Sequence, residues 1–169
     1  MKSLVLFLAV IVLAVTIADA QNRFATYSNE RFAFSIEYPH NMLIPSETKD
    51  ASHSGEVFRS RDGDKELRVW GEYNALFKTW REEYELELKG FGLKPTYAVF
   101  KPGWFVISGI KGGKIFYQKT LRRTLRDKLG NMDVFYTFTI EYPRSASAKM
   151  APIVKRISAS FQFDPHADV

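Results

Sequence analysis

The chain has 169 residues, no cysteine, 24 lysines and arginines against 19 acids, and a formal charge of +5. This length suits one domain with a real core, and the missing cysteine excludes both disulfides and a lipid anchor through cysteine. A charge of +5 is modest and speaks to anionic surroundings more than to a dedicated polyanion site.

In chain order, the first element reads as a secretory leader. Lys2 supplies a positive start, residues 4–17 an uncharged apolar stretch, and Ala18-Asp19-Ala20 small residues at both positions of a cleavage site. At 14 residues the stretch falls short of the roughly 20 that span a bilayer, so the sequence predicts a cleaved signal and no transmembrane segment afterwards. The expected organisation is a signal peptide over residues 1–20 and a single α+β domain over residues 21–169, its ordered core spanning about residues 24–163. Lacking cysteine, the exported chain suits a bacterial periplasm better than a eukaryotic exterior, where small domains are usually disulfide-stapled. Lipid headgroups, envelope polymers or acidic proteins are then the expected anionic partners, and nucleic acid is not.

A short strand is expected at residues 24–27, followed by a half-buried one at residues 31–38, where Phe32, Phe34, Ile36 and Tyr38 alternate with Arg31, Ala33, Ser35 and Glu37. Residues 45–55 read as a surface loop. Strands at residues 56–61 and 66–73 flank Asp62-Gly63, a dipeptide suited to a tight hairpin turn. Phe77, Trp80, Tyr84, Leu88 and Phe91 then form the stripe of an amphipathic helix, stopped by Gly90 and Gly92, whose solvent face carries Arg81, Glu82, Glu83, Glu85 and Lys89. Four strands follow at residues 96–101, 104–110, 114–122 and 132–142, separated by Pro102-Gly103, Gly112-Gly113 and the polar residues 126–131. In the last, only Phe135 breaks the alternation. After Pro143, a helix capped by Ser145 or Ser147 carries Met150, Ile153, Val154, Ile157 and Phe161, with Pro152 in its first turn. This order predicts an antiparallel sheet of about six to seven strands covered by two main helices, an α/β/α sandwich.

No catalytic or metal constellation emerges. Asp62-Gly-Asp64 lacks the further oxygens and closing glutamate of a calcium loop, and Lys114 of the glycine-rich run at residues 109–114 leads into a strand, unlike a phosphate-cradling lysine. Ser108 lacks the first glycine of a nucleophile elbow, and His40, His53 and His166 are scattered. Glu82, Glu83, Glu85 and Glu87 on one helix read as a solvated face, so neither cofactor nor metal is expected. The densest charge cluster is Lys119, Arg122, Arg123, Arg126 and Lys128, offset by Asp127; Lys119 and Arg123 on one strand face would make an anion-binding stripe. Among the tryptophans, Trp80 belongs to the helix stripe, while Trp104, straight after Pro102-Gly103, and Trp70 are candidate anchors for a partner.

Phe34-Ser-Ile-Glu-Tyr-Pro39, a helix between two strand groups, and a closing helix leading into Ser160-Phe161-Gln-Phe163 together resemble the PsbP-like family of small exported domains with a sheet between helices. The resemblance implies non-enzymatic accessory proteins that bind other proteins or complexes, and carries over no functional residue. Since the leader has neither a twin arginine nor a plastid-type transit segment, the resemblance extends to the fold and not to a photosystem role. The expected function is an exported non-catalytic module contacting an envelope protein or complex through Lys119, Arg122, Arg123, Arg126 and Trp104. The alternatives are a module binding phospholipid or a cell-wall polymer and, third, a hydrolase with an unrecognised site.

Overall fold

The computed structural model describes residues 23–46, 52–90, 94–127 and 130–167. The expected leader, Phe91 and Gly92 lie outside them. The strands are β1 (Ala25–Asn29), β2 (Phe34–Tyr38), β3 (Ile44–Pro45), β4 (Gly55–Arg59), β5 (Glu66–Tyr73), β6 (Lys94–Phe100), β7 (Trp104–Lys111), β8 (Lys114–Asp127), β9 (Gly130–Pro143) and β10 (Gln162–Phe163). The helices are α1 (Trp80–Gly90) and α2 (Ser147–Ser160). Seven strands form one antiparallel sheet in the order β3-β4-β5-β9-β8-β7-β6, and β1-β2-β10 form a second, small one.

The alternation of β9 decides which side of the large sheet each layer covers. Val134, Tyr136, Phe138 and Ile140 point toward the small sheet and α2, where they meet Phe34, Ile36, Leu43, Met150, Ile157 and Phe161 in the larger of two cores. Phe135, the residue that breaks the sequence pattern, points the other way and is 2% exposed, because it packs with Trp80, Phe105, Ile107 and Phe116 in a second core under α1. Both faces of β9 are thus buried, as Thr137 and Thr139 also are. A central strand covered on both sides loses the polar face that alternation predicts for an exposed sheet.

Local chemistry sets the boundaries. In the turn between β4 and β5, Gly63 takes φ +71°, and the Asp62 carboxylate accepts from Ser60 Oγ and from the Asp64 N–H at 3.1 Å. These bonds, Ser60's first, hold the Asp62 pKa down to about 2. The helix α1 begins at Trp80 because Thr79 and Glu82 form a capping box: Glu82 N donates to Thr79 Oγ1 at 3.2 Å and Thr79 N to Glu82 Oε2 at 2.7 Å. Phe77 therefore falls outside the helix, correcting the sequence stripe. Two further corrections concern α2. A 3₁₀ turn (Arg144–Ala146) precedes it and no side chain caps it, so neither Ser145 nor Ser147 plays the expected part. Pro152 lies past the first turn, on the exposed side.

Two contacts fix the small sheet to the rest. Gly71 of β5 lets the Phe32 ring lie flat on the large sheet, since a Cβ there would sit 2.6 Å from Phe32 Cγ. At the other side, Ser160 Oγ accepts from Glu37 N at 2.9 Å and Arg156 Nε donates to Glu37 Oε2 at 2.7 Å.

Candidate partner-binding surface

Of the basic residues singled out in the sequence, Lys119, Arg122, Arg123 and Arg126 lie on β8, where alternation divides them between two faces, and Lys128 lies outside the described residues. Lys119 and Arg123 share the side of α2, as expected. Arg122 and Arg126 lie on the α1 side, so these four do not make one surface.

Most of the cluster is engaged within the molecule. Lys119 is half-buried and its Nζ donates to the Ser158 carbonyl at 2.6 Å, one of the last carbonyls of α2, where a cation is favoured; burial pushes the Lys119 pKa down. Arg123 Nη2 donates to the carbonyls of Pro165 at 3.0 Å and Ala167 at 2.6 Å, and its guanidinium lies 6.0 Å from the Phe163 ring. It ties the segment after β10 onto the sheet. Arg122 Nε pairs with Asp133 Oδ2 at 2.9 Å, and Thr124 Oγ1 donates to Asp133 Oδ1 at 2.6 Å. Arg126 is exposed.

Trp104 opens β7 opposite Leu121 and is 37% exposed. On the same face of the neighbouring outer strand β6 stand Tyr97, 57% exposed, and half-buried Val99. The helix α2 packs chiefly on β2 and β9, and on this face Val106, between Val99 and Lys119, is 5% exposed while Tyr97 and Trp104 at its margin are open. The strand β6 is also one of the two outer strands of the sheet, and among the described residues no strand pairs with its outer N–H and C=O groups. Its register shift between Pro95 and Tyr97 and the proline itself blunt the first half of that edge. Trp80, by contrast, is core: it is 6% exposed and its Nε1 donates to the Lys101 carbonyl at 2.8 Å. Trp70 is half-buried, with Nε1 donating to Glu72 at 3.0 Å.

Of the four helix glutamates, Glu82 and Glu85 are exposed as expected, but Glu83 and Glu87 are not. Glu83 is 4% exposed and paired with Lys78, and Glu87 faces the sheet, accepting from Gln118 Nε2 at 3.0 Å. Gln118 also reaches Thr120 Oγ1 at 3.2 Å, which in turn meets Thr137 Oγ1 at 3.0 Å. Burial, together with the charges of Glu83 and Glu72, raises the Glu87 pKa above the ordinary carboxylate value. Trp80, Glu83, Tyr84, Glu87 and Leu88 follow the i, i+3, i+4 spacing of one face, and a purely apolar count of the stripe misses its two acids. Ser108, the other residue weighed for chemistry, donates its hydroxyl to the Phe116 carbonyl at 2.9 Å as part of the sheet.

Two residues stand exposed contrary to or outside the sequence reading, Phe77, which it placed in the helix stripe, and Leu76, which it did not single out, at 79% and 77%. The T-x-x-E capping box was the signal that would have freed Phe77 from the helix stripe. Among the described residues, no group of His, Cys, Asp and Glu is placed to hold a metal, and no helix is long and apolar enough to cross a membrane.

No family model matches the chain, and no curated protein does. Among solved structures, the solution structure of cyanobacterial PsbP (CyanoP) from Synechocystis sp. PCC 6803 matches with a TM-score of 0.55 and 16% identity, over 84% of this chain and 93% of that one. With its antiparallel sheet between helices in the same arrangement, the chain has a PsbP-like fold.

Proposed function

We propose that the chain is an exported, non-catalytic accessory module of the bacterial periplasm that binds another envelope protein through the exposed aromatic residues of β6 and β7. The observation that carries this reading is the exposure of Tyr97 and Trp104 on the outer strands of the sheet face that α2 covers chiefly at β9. Aromatic side chains offer large contact area at little entropic cost and recur at the centres of protein interfaces. The leader read in residues 1–20 supports the address, and the PsbP-like fold supports the accessory role. An anionic ligand held by Lys119 and Arg123 has less support, because both cations already bond carbonyls of α2 and of the segment after β10.

The test is a pull-down from envelope extracts with the chain carrying Tyr97→Ser and Trp104→Ser. The double variant should lose a partner that the parent retains while its melting temperature stays within about 2 °C, as expected for exposed positions. Equal recovery of the same partner by both proteins refutes this surface.

A further inference from the structure

Four of the eight exposed large hydrophobic residues among those described, Tyr73, Leu76, Phe77 and Met132, gather at one corner of the large sheet. The register shows why. The pairing of β7 with β8 ends at Trp104 and Leu121, and that of β5 with β9 ends at Tyr73 and Val134, while β8 and β9 continue together to Asp127 and Gly130. The last four residues of β8 therefore overhang the sheet by about 13 Å as a two-stranded arm. Met132, 40% exposed, and Leu125 oppose each other on one face of this arm, and exposed Arg126, the next residue of β8, lies on its other face toward the tip.

The loop bearing Leu76 and Phe77 stands beside the base of the arm, since Asn74 N donates to the Asp133 carbonyl at 2.8 Å. It is a built loop. Asn74, 8% exposed, receives the Lys78 N–H on Oδ1 at 3.0 Å and donates from Nδ2 to the Lys78 carbonyl at 2.7 Å, closing both ends of the segment on one side chain. Within it Phe77 takes φ +50°, a conformation that glycine or asparagine adopts at less cost. A buried amide and a strained backbone thus hold two large apolar side chains in the solvent, the reverse of what stability alone selects.

We infer that this corner seats on an anionic phospholipid bilayer, with Leu76, Phe77 and Met132 entering the headgroup region and Arg126 against lipid phosphate. The tips stand on two separate protrusions, Leu76 and Phe77 on the loop after β5 and Met132 on the β8–β9 arm. A protein partner grips apolar anchors in pockets, whereas a bilayer needs only convex tips that reach a common plane beside basic residues. The net charge of +5 has the sign such a surface requires.

The chain from Gln21 onward, which holds both cores and every described strand, is sedimented with vesicles of equal phosphatidylglycerol and phosphatidylcholine and with vesicles of phosphatidylcholine alone. Binding is expected to the anionic vesicles, falling about fivefold in Arg126→Gln and at least about tenfold in Leu76→Ser/Phe77→Asn. Asparagine tolerates the φ of position 77, so that variant keeps or raises the melting temperature and its loss of binding is not a loss of fold. Ile44, 46% exposed at the opposite end of the sheet, supplies the control Ile44→Ser, which leaves binding unchanged. Absence of binding by the parent, retention of binding by the Leu76/Phe77 variant, equal binding to both vesicles, or an equal loss in Ile44→Ser overturns the inference.

Discussion

Replacing Gly71 by alanine tests how the small sheet is held to the large one. A Cβ at this position meets Phe32 Cγ at 2.6 Å, Cβ at 2.8 Å and Cδ1 at 3.0 Å. Carbon atoms pack best at about 3.5–4.0 Å, so the ring has to withdraw by close to an ångström. It has no room to do so: Phe32 is 2% exposed, its ring lies 5.2 Å from that of Tyr73, and its N–H is held by Asn29 Oδ1 at 2.9 Å. Forced overpacking of this kind costs about 1–3 kcal/mol, which lowers the melting temperature of a domain this size by roughly 3–10 °C. Urea unfolding followed by circular dichroism measures the loss. A double-mutant cycle with Phe32→Ala isolates its cause, because with the ring gone only the Cβ of residue 32 remains of the three close contacts and the penalty of Gly71→Ala shrinks. A Gly71→Ala protein within about 0.5 kcal/mol of the parent, or the same penalty with and without Phe32, refutes the reasoning.

Two further outcomes follow from the charged groups. Lys119→Met keeps the aliphatic volume but removes the cation from the Ser158 carbonyl, and should lower stability by about 1 kcal/mol in the same unfolding assay; an unchanged midpoint would return Lys119 to the pool of free surface charges. Glu87→Gln should raise stability at pH 7, since it removes a charge from a buried setting and brings an amide toward Gln118 Oε1, which has no partner. With its folded pKa raised, Glu87 contributes stability that is present below its unfolded pKa and lost as pH rises through the folded value. The advantage of the glutamine variant therefore shrinks between pH 7 and pH 4, and a difference that grows on acidification contradicts the assignment.

Much of the architecture was legible because short antiparallel strands and glycine-rich turns write their positions locally. The strand at residues 66–73 has the expected bounds, the hairpin turn falls at Asp62-Gly63 although its first strand ends at Arg59 and not at residue 61, and the sandwich of a sheet between two helices follows from the element order. The small separate sheet was not legible. Its closing strand has two residues, Gln162 and Phe163, and exists only because β2 offers Ser35 and Phe34 as partners from the far end of the chain. Nor does the sequence reveal the partners of the basic cluster. Lys119 and Arg123 look like free cations in a one-dimensional reading, because the groups they bond are backbone carbonyls, which every residue possesses and no pattern announces. Phe77 misleads for a different reason: a helical period continues by chance one turn beyond the cap that ends the helix.

The pairing of β2 with β10 also governs when the molecule can become whole. Glu37 N reaches Ser160 Oγ across 123 positions, so the small sheet gains its third strand only after the final helix has been made. Until then the early strands have a partner in each other alone, and an isolated two-stranded hairpin is marginal in water. In a chain that emerges amino end first, the small sheet therefore stays incomplete until Gln162 and Phe163 follow the final helix, while the hairpins of the large sheet can pair before it.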